Sequence, residues 1–219
     1  MTIDLKEHLI RCEKAMQLAK PILGKHQFPV DPRTLTVIGL ISMLIEHQES
    51  IVLLECYGKP GSASTLFRPV VESAYRALWV NLPATDAEIE KFNKKDKIDL
   101  GFGEIAKALD DAYDQEDIKD FFQDFKTRAW KHLNSYTHGG MHQIGRRFAK
   151  NEVVNNYSAE EIFETITSVT TIVLLVISLF LERHGYADSA HQIYALIGTY
   201  GPGANGARPR NIQTLMGDR

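Results

Sequence analysis

The sequence predicts an all-α protein, an antiparallel (up-and-down style) helical bundle with additional short helices. Apolar residues recur at helical spacing, no segment shows a convincing strand alternation, and Pro/Gly-rich breaks divide the chain into five or six long segments. The chain has 219 residues, of which 44% are hydrophobic, enough for a substantial core. We expect residues 1–200 to form a single helical domain and 201–219 to form a flexible Gly/Arg-rich tail.

Three helices are predicted in the first part of the chain, at about Asp4–Leu23, Arg33–Tyr57 and Ser62–Leu82. Asp4 and Ser62 are residue types that cap helix starts, since their side chains accept hydrogen bonds from first-turn N–H groups. Proline-rich and glycine-rich turns separate the segments. Pro69 either kinks the third helix or marks its first turn, and in both cases we expect backbone N–H groups to open near Arg68.

Shorter helices are expected in the second part, followed by one long apolar helix. The predicted ranges are about Thr85–Lys97, Glu104–Tyr113, Glu116–Ser135, Ser158–His184 and Ala187–Thr199. Thr85 and Ser158 are each followed three residues later by glutamate, the pattern of a capping box. Residues 139–156 are predicted to be irregular.

Composition and charge limit the classes of function. Residues 165–181 carry no charge, but the run is shorter than the roughly 20 apolar residues of a membrane span, so we predict a buried core helix. Cys12 and Cys56 form no CxxC or disulfide pattern, which indicates a reducing, cytoplasmic location. The formal net charge of −3 argues against a broad basic surface for duplex DNA, although 25 Lys and Arg leave room for a local basic pocket.

The stretch from His132 to His142 holds three histidines, Tyr136 and a Gly-Gly break where a long helix is expected to stop. Histidine moves protons near neutral pH, and glycine allows a ligand to come close to the backbone. As a metal site the stretch lacks acidic ligands and a fixed spacing. The alternatives are an acid/base site that includes His138, or a purely structural helix end.

The third predicted helix places Arg68, Glu72, Tyr75, Arg76 and Trp79 at spacings that share one face. Two arginines on one face are suited to hold a phosphate or carboxylate, with Glu72 orienting either one. The alternative is an exposed Arg–Glu ladder in which Trp79 is simply buried.

His47 interrupts the apolar second helix and shares a face with Met43, Ser50 and Leu54. If that face points inward, His47 needs a buried hydrogen-bond partner, and Glu72 is the candidate. A hydrogen-bonded core histidine is the favoured interpretation over a ligand-binding one.

A resemblance follows from Gly61-Ser-Ala-Ser-Thr-Leu-Phe-Arg68, Glu72, Trp79 and Leu133-Asn-Ser-Tyr-Thr-His-Gly139. Together these residues resemble a bacterial group of unknown function that is similar to the HEPN superfamily of helical nucleotide-binding and ribonuclease domains. The resemblance covers about residues 34–180. In active members, RNA is cut without metal at a homodimer interface, and the 2′-hydroxyl attacks the phosphorus. An arginine precedes the histidine with four to six residues between them.

Carried over by residue, this resemblance implies that His138 is the histidine. Lys131 has the allowed spacing but is not arginine, so Arg68 or Arg76 from the third helix is our candidate for the missing guanidinium. A lysine binds phosphate as a point charge and lacks the two-pronged donor set of arginine.

The favoured hypothesis is a HEPN-like RNA- or nucleotide-binding protein, and the resemblance implies, as its enzymatic form, a metal-independent ribonuclease of defence or toxin type. We expect a homodimer, and we expect neither a cofactor nor a metal, and neither duplex DNA nor a membrane as a partner. Its predicted catalytic residues are His138, Arg68 and Lys131, and its substrate-binding residues are Glu72, Tyr75, Arg76, Tyr136, His132 and His47. The alternative is a non-catalytic, homodimeric interaction module in which a buried polar network fixes helix register.

Overall fold

The computed structural model describes residues 4–113 and 120–200, and over these residues the protein is all-α. The helices are α1 (Leu5–Gly24), α2 (Pro32–Cys56), α3 (Pro60–Asn81), α4 (Asp86–Lys95), α5 (Phe102–Ala112), α6 (Phe121–Thr137), α7 (Met141–Gly145), α8 (Ala159–Arg183) and α9 (Ala187–Tyr200). Between α7 and α8, strands β1 (Phe148–Ala149) and β2 (Glu152–Val153) form an antiparallel hairpin. The predicted all-helical fold class is confirmed.

Side-chain caps determine where several helices begin. The Asp4 carboxylate accepts a hydrogen bond from a first-turn N–H of α1. Thr85 and Ser158 form capping boxes with the glutamate three residues further on, at the starts of α4 and α8. Each cap satisfies N–H groups that have no partner within the helix, which contributes about 1 kcal/mol. These three predicted helix starts are confirmed.

The core is organised around α8, which contacts α1, α2, α3 and α9. Val173, Leu174 and Ile177 of α8 are fully enclosed, and Trp79 of α3 is 2% exposed. The apolar 165–181 segment is therefore a core helix, as predicted. By length and composition alone, α2 and α8 would each be able to cross a membrane, and both are partly buried against the other helices.

Buried polar contacts connect α8 to α1 and to α2. A ring nitrogen of His8 lies 2.8 Å from the Thr167 hydroxyl oxygen. Burial lowers the pKa of His8 to about 4, assisted by the positive charge of Arg11. The Gln48 amide donates to the Thr170 hydroxyl at 3.1 Å, while its carbonyl oxygen has no partner among the described residues. Both contacts fix the position of α8 relative to α1 and α2.

The structure corrects the predicted start of α3. The helix begins at Pro60 rather than after Ser62, because proline has no backbone N–H that a first turn would leave without an acceptor, and its fixed φ suits a helix. Pro69 consequently lies inside the helix, and Arg68 is not near its N-terminus. An interior proline opens no N–H groups. It leaves the carbonyl four residues earlier, that of Thr65, without its helical donor.

The segment predicted to be irregular contains α7 and the β1–β2 hairpin, which are too short to produce a detectable period. Helix α6 continues to Thr137, two residues beyond its predicted end. Its predicted start at Glu116 and the predicted tail at 201–219 lie outside the described residues.

Candidate functional site

Helix α3 presents a row of charged side chains to solvent. The Arg68 Nε donates to Glu72 Oε1 at 2.8 Å, and the Arg76 Nη2 lies 3.7 Å from Glu72 Oε2. The side chains of Arg68, Glu72 and Arg76 are 21%, 22% and 42% exposed. One carboxylate therefore lies between two guanidinium groups, and the row keeps one surplus positive charge at the surface.

His138 follows the last residue of α6 and lies against the same arginine. The Arg68 Nη1 is in hydrogen-bond contact with His138 Nε2. Since a guanidinium can only donate, Nε2 is the acceptor and the imidazole in this arrangement is neutral, with its proton on Nδ1. The His138 residue is exposed. The structure thus joins the cationic row of α3 to the imidazole beside the double glycine.

Pro69 provides the local reason why the end of α6 lies on α3. The Thr65 carbonyl, which lacks a helical donor because of Pro69, accepts a long hydrogen bond of 3.4 Å from the Thr137 hydroxyl. The Gln143 amide donates to the Thr65 hydroxyl at 3.0 Å. Thr65 therefore ties α3 to both α6 and α7, and His138 is the residue that follows Thr137.

The double glycine is required by the turn between α6 and α7. Gly139 has a φ of +64°, a conformation that L side chains rarely adopt. A Cβ on Gly140 would lie 2.5 Å from the Ser135 Oγ and 3.0 Å from the Ser135 Cα. The Ser135 hydroxyl accepts a hydrogen bond from the His142 N–H at 3.0 Å. The close approach at Gly140 thus holds α7 beside the end of α6.

A stack of aromatic rings supports Arg68 from one side. The Arg68 guanidinium carbon lies 4.9 Å from the centre of the Trp130 ring. Trp130 stacks on Phe102 at 4.1 Å, and Phe102 stacks on Tyr75 at 4.6 Å, both measured between ring centroids. A cation over an aromatic ring gains about 0.5–1 kcal/mol at exposed sites. The ring also restricts the orientations that the guanidinium can adopt.

The structure places Tyr75, a predicted substrate-binding residue, in the core. Tyr75 is 5% exposed, and its hydroxyl donates to the Phe122 carbonyl at 2.9 Å. Burial, together with the negative charge of Asp110, raises the pKa of Tyr75. Its ring is the innermost ring of the aromatic stack and is not part of the exposed surface that carries Arg68. The burial of Trp79 agrees with the alternative stated for that residue.

Lys131 and His132 lie on exposed parts of α6. Lys131 precedes His138 by seven residues, nearly two helical turns, so the two residues share a side of the helix at a spacing of about 10 Å. The rings of His132 and His142 are 4.3 Å apart between centroids. Within the two described ranges, no group of three or more His, Cys, Asp or Glu is placed to hold a metal ion.

His47 is half-buried on α2, and the structure does not join it to Glu72. Among the described residues, the Glu72 carboxylate pairs with Arg68 and Arg76, and no hydrogen bond reaches it from His47. The inward position on this part of α2 belongs to Gln48, which is 1% exposed. The predicted His47–Glu72 pair is therefore corrected.

A second feature, which we call the Tyr136 cleft, lies between α3, α6 and the start of α8 and has a volume of about 250 Å³. Its lining includes Phe67, His132, Tyr136, Tyr157, Glu161 and Glu164. Phe67 precedes Arg68 on α3, and Tyr136 lies two residues before His138. Neither Arg68 nor His138 lines the cleft, so the pair and the cleft are adjacent features of one α3–α6 junction.

Several residues of this region were not predicted from the sequence. The Tyr157 hydroxyl is buried and has no partner in the described part of the chain, and burial raises the pKa of Tyr157. Burial also raises the pKa of the Glu55 carboxyl to about 7. Trp130 supports Arg68 from a different helix. No spacing or motif in the sequence marks these residues, because their roles depend on which helices pack together.

Fold and site together define an all-helical protein with an exposed Arg–His pair beside a small aromatic cleft. Residues 41–202 match the family described as Family of unknown function (DUF6988). The match covers more than half of the chain, and the chain therefore belongs to this family. No curated protein and no solved structure matches the chain.

Proposed function

We propose that this protein is a HEPN-like RNA- or nucleotide-binding protein that cleaves RNA without a metal ion. The observation that carries the proposal is the contact between Arg68 and His138. It combines a permanent cation with a neutral imidazole. Metal-free cleavage of a phosphodiester needs both, the cation to stabilise charge on the phosphate and the imidazole to accept a proton.

Phosphate binding follows from the charges of α3. A phosphate oxygen is a better acceptor for Arg68 than a neutral imidazole, because both partners of the new hydrogen bond are charged. An incoming phosphate would therefore draw the Arg68 guanidinium away from His138 and leave Nε2 free. Arg76 is the more exposed member of the row and contributes a second cation, while Lys131 adds a point charge further along α6.

The freed Nε2 of His138 then accepts the proton of the ribose 2′-hydroxyl. The 2′-oxygen forms a bond to phosphorus, the bond from phosphorus to the 5′-oxygen breaks, and that oxygen takes up a proton. The products are a 2′,3′-cyclic phosphate and a 5′-hydroxyl. In-line attack requires a proton donor on the opposite side from His138, and we propose a two-fold homodimer because its second imidazole would fill this role. That second imidazole must be in its protonated imidazolium form, so that it gives its extra proton to the 5′-oxygen and becomes neutral.

We further propose that the protein is a single-domain, up-and-down bundle of the HEPN type and that it is located in the cytoplasm. The cytoplasmic location is proposed from Cys12 and Cys56, which form no disulfide pattern. The net charge of −3 supports a substrate other than duplex DNA. Neither a cofactor nor a metal takes part in the proposed reaction.

Purified protein incubated with single-stranded RNA in EDTA tests the proposal. We expect cleavage with 2′,3′-cyclic phosphate ends, and loss of cleavage in Arg68→Ala and His138→Ala. RNA and nucleotides that are neither bound nor cut by the wild-type protein would refute the proposal.

Two observations favour a second candidate, a non-catalytic homodimeric interaction module. Glu72 lies between Arg68 and Arg76 on α3, and the contact of Arg68 with His138 extends this polar row to the end of α6, as expected of a network that fixes helix register. The hairpin region also exposes Phe148 and Val153, which are 51% and 79% exposed, as a contact surface. In this case Arg68→Ala would lower the stability or the dimer affinity and have no effect on RNA.

A further inference from the structure

We infer that the Tyr136 cleft is a nucleobase-binding subsite that prefers guanine. The inference rests on the proposed function, because it assigns to the cleft the base of the nucleotide whose phosphate lies at Arg68 and His138. It goes further by naming which base the protein selects and which residues select it.

The size and the rings of the cleft fit a single base. Its volume of about 250 Å³ is below the roughly 300–1,000 Å³ of pockets that enclose a whole drug-sized ligand. Phe67 and Tyr136 line it from two different helices. A base stacked on an aromatic side chain gains about 1–3 kcal/mol. The cleft therefore suits a flat aromatic ligand rather than a compact ion.

The position of the cleft relative to the Arg–His pair fits one nucleotide. Phe67 and Arg68 are neighbours on α3, while Tyr136 lies in the last turn of α6 and His138 directly follows that helix. The Thr65 hydroxyl lies 3.4 Å from the Tyr136 carbonyl oxygen, so α3 and α6 are in direct contact between the two features. A ribose over this junction would place its base in the cleft and its phosphate at Arg68.

The polar groups of the cleft favour guanine over the other bases. Glu161 is paired with Arg146, but Glu164 is exposed at the cleft and makes no ion pair among the described residues. A carboxylate only accepts hydrogen bonds, and guanine presents two adjacent donors, its N1–H and its 2-amino group. Adenine and uracil present no such pair.

Tyr157 gives a second, independent indication. It lines the cleft, and its hydroxyl is buried without a partner in the described ranges. Because this hydroxyl oxygen is closed off from solvent, the Tyr157 side chain must turn before an acceptor on a ligand can reach it, and that hydrogen bond would then give the hydroxyl the partner it lacks. The 6-carbonyl oxygen of guanine lies next to its N1–H and is such an acceptor.

Titration with nucleoside 3′-monophosphates tests the inference, with binding followed by the fluorescence of Trp130, whose ring lies against Arg68. Guanosine 3′-monophosphate should bind at least about tenfold more tightly than the adenosine and uridine compounds, because a good bidentate pair of hydrogen bonds discriminates between bases by at least this factor. Inosine 3′-monophosphate, which lacks the 2-amino group, should bind with intermediate affinity.

Glu164→Gln should weaken the binding of guanosine 3′-monophosphate by about tenfold, equal to about 1.4 kcal/mol, and should abolish the preference between bases. The matched control is Glu160→Gln, an exposed residue one turn earlier on α8 that does not line the cleft. With RNA as ligand, the wild-type protein should cut next to guanosine and Glu164→Gln should cut without preference.

The two proposals fail in different ways. Arg68→Ala should weaken the binding of all four nucleotides, those of guanosine, adenosine, uridine and inosine, by a similar factor and keep the preference for guanine. Equal affinity for all four, unchanged in Glu164→Gln but reduced in Arg68→Ala, would overturn the base subsite and leave the phosphate site intact. Absence of binding for every nucleotide, with no RNA cleavage, would overturn both.

Discussion

Arg68 donates a hydrogen bond to His138, although 70 residues separate the two in the chain. The pair forms where Thr65, freed from a helical bond by Pro69, receives the hydroxyl of Thr137. An interior proline, which is usually a defect in a helix, here provides the attachment point for the end of α6. The position of the imidazole is thus determined by the backbone of α3.

Replacement of His138 by alanine should remove RNA cleavage and leave the fold intact. Loss of a general base lowers a rate by about 10²–10⁴-fold, and His138 is exposed, so its side chain adds little to the packing of the core. Cleavage in EDTA and the thermal unfolding midpoint are the two measurements. His142→Ala, another exposed imidazole nearby, is the control and should keep its activity. Equal activity of both variants would contradict the assignment.

Replacement of Arg68 by alanine should weaken RNA binding and reduce its dependence on salt. A protein that makes one phosphate interaction fewer shows a slope of log K against log salt that is smaller by about 1. The control is Arg128→Ala on α6, an arginine with a 79% exposed side chain that pairs only with Asp124 among the described residues. A slope that is unchanged in Arg68→Ala and reduced in Arg128→Ala would show that phosphate binds elsewhere.

Replacement of Gly140 by alanine should disturb the junction of α6 and α7. The new Cβ would lie 3.0 Å from the Ser135 Cα, so the backbone must shift, at a cost of about 1–3 kcal/mol. Gly145→Ala is the matched control, since nothing lies within 4 Å of its added Cβ. Urea unfolding of the two variants gives the comparison. Equal stability of both would mean that the turn adapts without strain.

Replacement of Glu55 by glutamine should change the pH dependence of stability. Burial raises the pKa of Glu55 from 4.5 to about 7, so the native state binds more protons than the unfolded state between these values. The free energy of unfolding that Glu55 contributes is therefore present below pH 4.5 and disappears as the pH rises through about 7. Glu55→Gln cannot ionise and avoids this loss.

The measurement is the free energy of unfolding of both proteins between about pH 4 and 8. Relative to wild type, Glu55→Gln should gain on the order of 1–3 kcal/mol over this range. His8, whose pKa is lowered to about 4, acts in the opposite direction in both proteins and cancels in the difference. Glu46→Gln, an exposed position on the same helix, is the control. Parallel curves for Glu55→Gln and wild type would contradict the burial of an uncompensated carboxyl.

Features that depend on local signals could be predicted from the sequence. The capping boxes at Thr85 and Ser158 and the apolar run of α8 each depend on residues within a few turns, and the structure contains all three. The Arg68–Glu72 pair belongs to the same kind, because residues four apart on a helix face each other.

The remainder of the site depends on how helices pack, which spacing does not encode. Tyr75 shares a helix face with Arg68, but α5 and α6 cover its ring while the guanidinium stays at the surface. Glu55 and Tyr157 acquire their buried environments only in the folded protein. From the sequence, Arg68 is only one of two candidates for the guanidinium beside His138, and the structure brings these two residues together. Their role in catalysis stays a prediction.

The most direct test compares the wild-type protein with the Arg68→Ala/His138→Ala double variant on a single-stranded RNA in EDTA. We expect the wild-type protein to produce fragments ending in 2′,3′-cyclic phosphate, and the double variant, still folded by circular dichroism, to produce none. Fragments of the same kind and amount from both proteins would contradict the proposed mechanism, as would a wild-type protein that leaves the RNA intact.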